Sequence, residues 1–311
     1  MNHIRTVCGD VHPTEIRKVL MHEHIVLGYA GWFYDPTIAP FDHSEAMDAA
    51  LSRMEDLKER GVNLIVDPTP IELGRDAEFV QDVSSRSGMH IVCSTGFDLE
   101  ARGGLSAIRH CTPDDILEIY MKEIEEGIGA AHVKPGIIKL ATGYDAISEY
   151  EEACLRAAAI ASRRTGLPIV THTERGTMGP QQARMLKRYG ADPGKCLIGH
   201  CCANSDLRYQ REILEEGVYI GFDRFGNSWH GDDWLRLHTL TALLHMGYAD
   251  HIFLSTDSVA YWMGRKIKGR DTRHWDPVYL FDEIIPALYQ RGIGEDMILA
   301  MTEENAKCFW A

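Results

Sequence analysis

Six polar residues sit in otherwise apolar stretches of this chain, and their types could do chemistry together. "LMHEHIV" (20–26) sets His22 and His24 two residues apart, and "GIIKLAT" (136–142) carries Lys139. "LPIVTHT" (167–173) carries His172, "KCLIGHC" (195–201) carries His200, and "HIFLSTD" (251–257) ends on Asp257. Each has an ordinary explanation. A lone histidine at a strand end is more often a hydrogen-bonded structural residue than a ligand, and Asp257 could cap a following helix. Lys139 is harder to explain away, because lysine is almost never fully buried without a partner. Four histidines, an aspartate and a buried lysine at strand ends are improbable by chance. Nitrogen and oxygen donors of this kind suit zinc, with manganese, iron or cobalt as alternatives.

The segments that carry these residues form a pattern of their own. Eight short apolar, β-branched runs recur, at 18–26, 62–69, 90–96, 136–142, 167–173, 195–201, 217–223 and 251–257. Nearly continuous apolar runs mark strands buried on both faces. Helical spacing fills the gaps: Met47, Ala50, Leu51, Met54 and Leu57 share one face of 44–60, with Ser44 as N-cap. A capping box from Ser148 to Glu151 opens 148–165, and a further helix runs over about 176–190. Eight strands alternating with helices predict an α/β fold, a (β/α)₈ TIM barrel, whose catalytic residues gather at the C-terminal ends of the strands. A doubly wound open sheet fits less well, because no GxGxxG follows the first strand. Residues 4–17 read as a short N-terminal hairpin or cap, and 223–248 and 257–276 as long loops after strands seven and eight. No linker or low-complexity tract divides the chain, so 1–311 is expected to be a single domain.

Composition narrows the function. A net charge of -14 argues against a nucleic-acid partner, which would demand a basic patch. No stretch approaches a membrane span, and the polar N-terminus carries no signal-peptide core. Eight scattered cysteines without a CxxC pair suggest reduced thiols and a cytoplasmic location.

The order of these motifs resembles the amidohydrolase superfamily, and within it the phosphotriesterase and phosphotriesterase-like lactonase family. "LMHEH", "DPTPIELGRD", "GIIKLATG", "THTERGT", "LIGHC" and "GFDRFG" carry the resemblance over nearly the whole chain. It implies a metal-dependent hydrolase with two divalent ions, zinc foremost. Lys139, carboxylated on Nζ, and a hydroxide would bridge them. His22, His24 and Asp257 would hold the more buried ion, and His172 and His200 the more exposed one. Asp257 would also be the catalytic proton acceptor. The carbamate, Asp257 and hydroxide would leave the centre weakly positive and electrophilic. A homodimer is implied by the resemblance alone.

The substrate side departs from the family in places. "GFDRFG" is similar to the lactonases' strand-seven motif and makes Arg224 the substrate-binding candidate. The histidine usual in phosphotriesterases is missing there. Phe97 stands where lactonases often have Tyr and phosphotriesterases Trp, and would border the substrate. "GRKIKGRDTRH" (264–274) gathers Arg265, Lys266, Lys268, Arg270 and Arg273, which could bind an anionic group on the substrate, Arg265 and Arg273 above all, or simply face solvent. A lactonase or carboxylester hydrolase acting on a small molecule is the leading expectation. An organophosphate triester or N-acyl amide hydrolase on the same centre comes second, and a non-catalytic binding barrel last.

Overall fold

The computed structural model describes residues 3–102, 107–265, 269 and 271–311. Two short antiparallel strands come first, β1 (Ile4–Thr6) and β2 (Gly9–Val11). Strand one of the barrel follows in two pieces, β3 (Lys18–Leu20) and β4 (His24–Leu27). Strands two to seven are β5 (Val62–Asp67), β6 (His90–Gly96), β7 (Ile137–Thr142), β8 (Ile169–Thr173), β9 (Cys196–Ile198) and β10 (Tyr219–Phe222). Strand eight is again two pieces, β11 (Ile252–Leu254) and β12 (Val259–Trp262). Helices α1 (His43–Glu59), α2 (Ala77–Ser87), α3 (Pro113–Glu126), α4 (Glu149–Thr165), α5 (Gly179–Arg188), α6 (Leu207–Leu214) and α7 (Asp233–His245) connect successive strands. Two helical stretches with π turns end the chain: 280–290, which holds α8 (Ile285–Gln290), and 295–309, which holds α9 (Glu295–Leu299) and α10 (Asn305–Phe309).

Eight strands lie parallel in the order β11-β10-β9-β8-β7-β6-β5-β3, with helices between them, as in a (β/α)₈ barrel. Alternation sorts the side chains into two layers. Leu64, Val66, Val92, Ile137, Val170, Leu197, Tyr219 and Phe253 fill the barrel, closed below by Ile4, Ile16, Phe309 and Trp310. Ile65, Ile91, Ile138, Ile169, Ile198 and Ile220 face the helices.

The barrel closes by an unusual joint. Parallel pairing of β4 with β12 replaces direct pairing of β3 with β11, with Val259 opposite His24. Between the pieces, the Glu23 carboxylate enters the gap and accepts from the backbone N–H of Thr256 (2.7 Å) and Ser258 (3.0 Å). It also accepts from the hydroxyls of Ser255, Thr256 and Ser258. Glu23 is 3% exposed, so these donors replace the water that it has lost.

Several sequence expectations change in detail. The run 18–26 is not one strand: it breaks at Met21–Glu23, because Glu23 draws the chain toward strand eight. Helix α1 is capped by Asp42 rather than Ser44, the Asp42 carboxylate accepting from the N–H of Ser44 and Glu45. The long loop expected over 223–248 contains α7, capped by Asp232 and packed through Leu237, Leu240, Leu243 and Leu244. Likewise β12 occupies part of the expected loop after strand eight. The capping box from Ser148 to Glu151 and the N-terminal hairpin are as expected.

Removing the Glu23 carboxylate should open the joint. Glu23→Ala should cost about 3 kcal/mol of unfolding free energy, the scale of losing charge-assisted hydrogen bonds to buried donors. Glu23→Gln, which keeps one acceptor oxygen, should lose less. Urea unfolding of the three proteins tests the ranking, and an unchanged Glu23→Ala midpoint would contradict it.

Candidate metal centre

Parity along the strands decides which polar side chains reach the C-terminal mouth of the barrel. Lys139 follows inward Ile137, His172 follows inward Val170, and Asp257 continues the row of Phe253 and Ser255. His200 and Asp257 take left-handed backbone angles, φ +61° and +54°, that are uncommon for residues with a Cβ. At His200 this turn is decisive, since Leu197 already occupies the inward row and position 200 would otherwise point out. The break after Met21 does the same for strand one, whose unbroken alternation would send His22 outward beside Leu20. Gly96 borders Lys139 so closely that a Cβ there would lie 1.9 Å from the Lys139 carbonyl oxygen. Only glycine fits at that position.

The structure brings His22, His24, Lys139, His172, His200 and Asp257 around one narrow cavity of about 70 Å³. Asp257 Oδ1 lies 3.2 Å from His24 Nε2 and 3.6 Å from His22 Nε2, and Asp257 Oδ2 lies 3.8 Å from His200 Nε2. Lys139 Nζ is 3.3 Å from His22 Nε2. Rings of His22 and His172 each stand 4.5 Å from that of His200. Donor atoms of His22, His24 and Asp257 lie within 4.8 Å of one another, as do those of His22, His200 and Asp223.

A second set of residues, which the sequence reading did not single out, orients the first. Asp223 accepts from the backbone N–H of His200 and stands 3.0 Å from its Nδ1 and 3.3 Å from His22 Nδ1. Both rings thereby turn their Nε2 atoms to the cavity. Thr69 Oγ1 lies 2.6 Å from His24 Nδ1 and donates to Asp67. Glu174 lies 2.9 Å from His172 Nε2. The motif "GFDRFG" contained Asp223, but nothing in its spacing linked it to residue 200; only the neighbouring positions of β9 and β10 do.

The donor set fits metal ions. Burial holds His22, His172 and His200 below the ordinary imidazole pKa, the neutral form that a metal needs. Burial also drops Lys139 to about 8, against the pull of Asp257, Asp98 and Asp223. Among the described residues no carboxylate forms an ion pair with its ammonium, so a buried charge there is poorly compensated. Burial would raise Asp257, but His200, Arg224 and His24 outweigh it and hold the carboxyl well below its usual range. His24 is the exception among the imidazoles: burial opposes its charge, yet Asp257 and Asp67 raise it to about 9.

The other expected residues are placed unevenly. Arg224, 3% exposed, lines the cavity and donates from Nε to Asp257 Oδ2 at 2.9 Å. Phe97 turns outward and packs on Tyr120, ring centroids 5.6 Å apart, while Asp98 from the inward row lines the cavity instead. Arg265 is exposed and held by Asp35 and Thr37. Arg273 is exposed and paired with Asp271 at 2.6 Å. Neither lines the central cavity. Lys266, Lys268 and Arg270 lie outside the described residues.

Comparison with known proteins identifies the family and bears out the fold. The model of the phosphotriesterase family matches residues 2–310. The structure of an organophosphorus hydrolase from Deinococcus radiodurans superposes with a TM-score of 0.96 at 38% identity, covering 100% of this chain and 97% of that one. An aryldialkylphosphatase of Saccharolobus solfataricus is 31% identical, over 97% of each chain. A phospho-furanose lactonase of Mycoplasmopsis synoviae is 29% identical, over 97% of this chain and 90% of its own.

The raised pKa of His24 has a consequence for the metal-stripped protein. A folded pKa of about 9 against 6.5 means that its contacts with Asp257 and Asp67 stabilise the fold fully below pH 6.5. That contribution is lost as pH rises through 9. Chelator-treated protein should therefore lose on the order of 2–3 kcal/mol between pH 6 and pH 9.5. Asp67→Asn should flatten the profile. Urea titrations at the two pH values check this, and a parallel shift in both proteins would contradict it.

Proposed function

The chain belongs to the phosphotriesterase family of hydrolases, and from that premise we propose that it is a lactonase or carboxylester hydrolase working with two divalent ions, zinc foremost. The observation that carries this reading is Lys139, buried at the cavity floor with no carboxylate partner among the described residues and an amine depressed to about 8. A neutral amine can attack CO₂, losing a proton and gaining a carboxylate. His22, His24 and Asp257 would hold one ion and His172 and His200 the other, with carboxylated Lys139 between them. When bound, such ions supply Lewis acidity and a nucleophilic water at neutral pH.

The chain's own residues do the rest. Asp257, held ionised, accepts the proton of the attacking water and returns it to the leaving oxygen. Arg224 fixes that carboxylate through Nε, while its Nη1 makes no hydrogen bond in the structure and is available to a substrate oxygen. Asp223, Thr69 and Asp67 lock the imidazole orientations. Leu27, Val259, Trp262 and Trp275 wall the cavity with apolar surface that excludes water and accepts a ring or short chain. Arg224 and the phospho-furanose lactonase relative favour lactones. The aryldialkylphosphatase relative favours phosphotriester hydrolysis as a weaker second activity on the same centre. Eight free thiols support a reducing, cytoplasmic setting.

Purified protein should contain close to two divalent ions per chain. Lys139→Ala should lose metal and nearly all turnover, and short carboxylic acids that replace the bridge should restore part of both. Metal analysis, together with rates on γ- and δ-lactones and an aryl phosphotriester, tests the reading. Normal metal content in Lys139→Ala, or phosphotriester turnover with no lactone turnover, would overturn it.

A further inference from the structure

The loop after strand seven brings Arg224 and Asn227 to the wall of the central cavity. Arg224 is tied to Asp257. Asn227 is 1% exposed, and its Oδ1 is buried with no hydrogen-bond partner among the described residues. An amide oxygen in that position has lost its water and gained no donor, which costs stability unless a partner arrives later. Leu27, Pro70, Leu73 and Val259 of the same wall have no side-chain donor to offer it.

The backbone that carries Asn227 is tied down from behind. Arg236 on α7, one of the largest fully buried side chains of the protein, donates from Nη2 to the Asn227 carbonyl oxygen at 2.9 Å. Its Nη1 pairs with Asp233 Oδ1 at 2.6 Å, and Asp233 Oδ2 accepts from the Gly226 N–H at 2.9 Å. The Asn227 N–H in turn donates to the Arg224 carbonyl oxygen at 3.2 Å. On the other side Gly226, at φ +80°, meets the loop after strand eight so closely that a Cβ would lie 1.9 Å from the His274 carbonyl oxygen. Residues 224–227 are thus gripped between α7 and that loop. A polar group fixed before the substrate arrives loses less ordering entropy on binding.

We propose that Asn227 is a specificity-determining residue of the hydrolase, selecting substrates that offer a hydroxyl to its buried Oδ1, and that Arg236 is the positioning residue that holds it there. A hydroxyl donates to Oδ1, whereas an ether or a hydrocarbon in the same place leaves it unpaired. A site built on such a bond rejects the analogue that lacks the donor more strongly than an apolar pocket rejects an added group. This selection needs no charge on the substrate. The proposal rests on the hydrolase reading for its substrate, but binding of the hydroxyl does not require turnover.

The test uses metal-loaded protein and uncharged γ-lactones that carry a hydroxyl, a methoxyl or only hydrogen, in one series α and in another β to the carbonyl. In one series at least, kcat/KM for the hydroxyl lactone should exceed that for its methoxyl partner at least tenfold. Asn227→Leu, close in volume and without the acceptor, should bring this ratio down about tenfold, which separates the hydrogen bond from the lactones' own reactivity. Arg236→Met should lower the ratio similarly, and Arg236→Lys should retain part of it. Added to Asn227→Leu, Arg236→Met should lower the ratio no further, because Arg236 acts through Asn227. If Arg236→Met does not fold, Asp233→Asn weakens the same grip and takes its place. Trp229, Trp262 and Trp275 line the cavity, so quenching of tryptophan fluorescence gives the same ratio as dissociation constants. If no lactone is hydrolysed, the lactonase reading fails, and the dissociation constants still decide the role of Asn227. A wild-type ratio near one in both series, as when only an ordered water meets Oδ1, or a ratio unchanged in Asn227→Leu, would overturn the selection. A lowered unfolding midpoint with an unchanged ratio in the Arg236 or Asp233 variant would overturn the positioning role.

Discussion

Everything at the mouth of this barrel depends on how strand one meets strand eight. A continuous pairing of the two would keep the alternation of side chains intact and would point His22 at the helices. The Glu23 carboxylate prevents this by accepting from the backbone and hydroxyls of 255–258, and both strands break around it. The break lets His22 and His24 turn into the cavity from one side, and it lets Asp257 enter from the other with a left-handed backbone. Burying a carboxylate is expensive, and burial raises the Glu23 pKa, but the donors of Ser255, Thr256 and Ser258 offset the cost. The same carboxylate therefore seals the fold and sets the geometry of the centre.

The centre is electrostatically consistent only when read as a unit. Asp223 and Asp257 are buried carboxylates set among imidazoles and Arg224, with Asp67 and Asp98 buried beside them. Without a further cation His24 takes up a proton to balance Asp257 and Asp67, while the other imidazoles stay neutral. Positive ions in the cavity would replace that proton. Lys139 fits the same pattern, since burial lowers its amine to about 8 and so weakens its hold on a proton beside the imidazoles.

Much of this was legible in the sequence because buried parallel strands write themselves as apolar runs, so a polar residue inside one stands out. All six candidate residues for the centre were visible in that way, and so was the barrel. Residues that act through others were not. Asp223 and Glu23 are carboxylates next to more conspicuous neighbours, and their partners lie 23 and more than 230 positions away. Phe97 shows the limit of reading a position without its row: one place from the inward Gly96 and Asp98, it packs on Tyr120 and leaves the cavity to Asp98.

Positive charge gives the sharpest contrast between the two readings. Along the chain, five basic residues between 265 and 273 form the densest cluster and draw attention as an anion site. In space, the described members Arg265 and Arg273 are exposed, so solvent screens them, and local acids already pair with them. Arg102, Arg175 and Arg224 are scattered over more than a hundred positions and look unremarkable singly. They converge because the loops after strands three, five and seven open on the same end of the barrel, where Asp98 and Asp257 pair with Arg102 and Arg224 while Arg175 stays exposed. Density along the sequence measures local repulsion, whereas what a charge meets in space is set by convergence, and in a barrel convergence is supplied by the strand order.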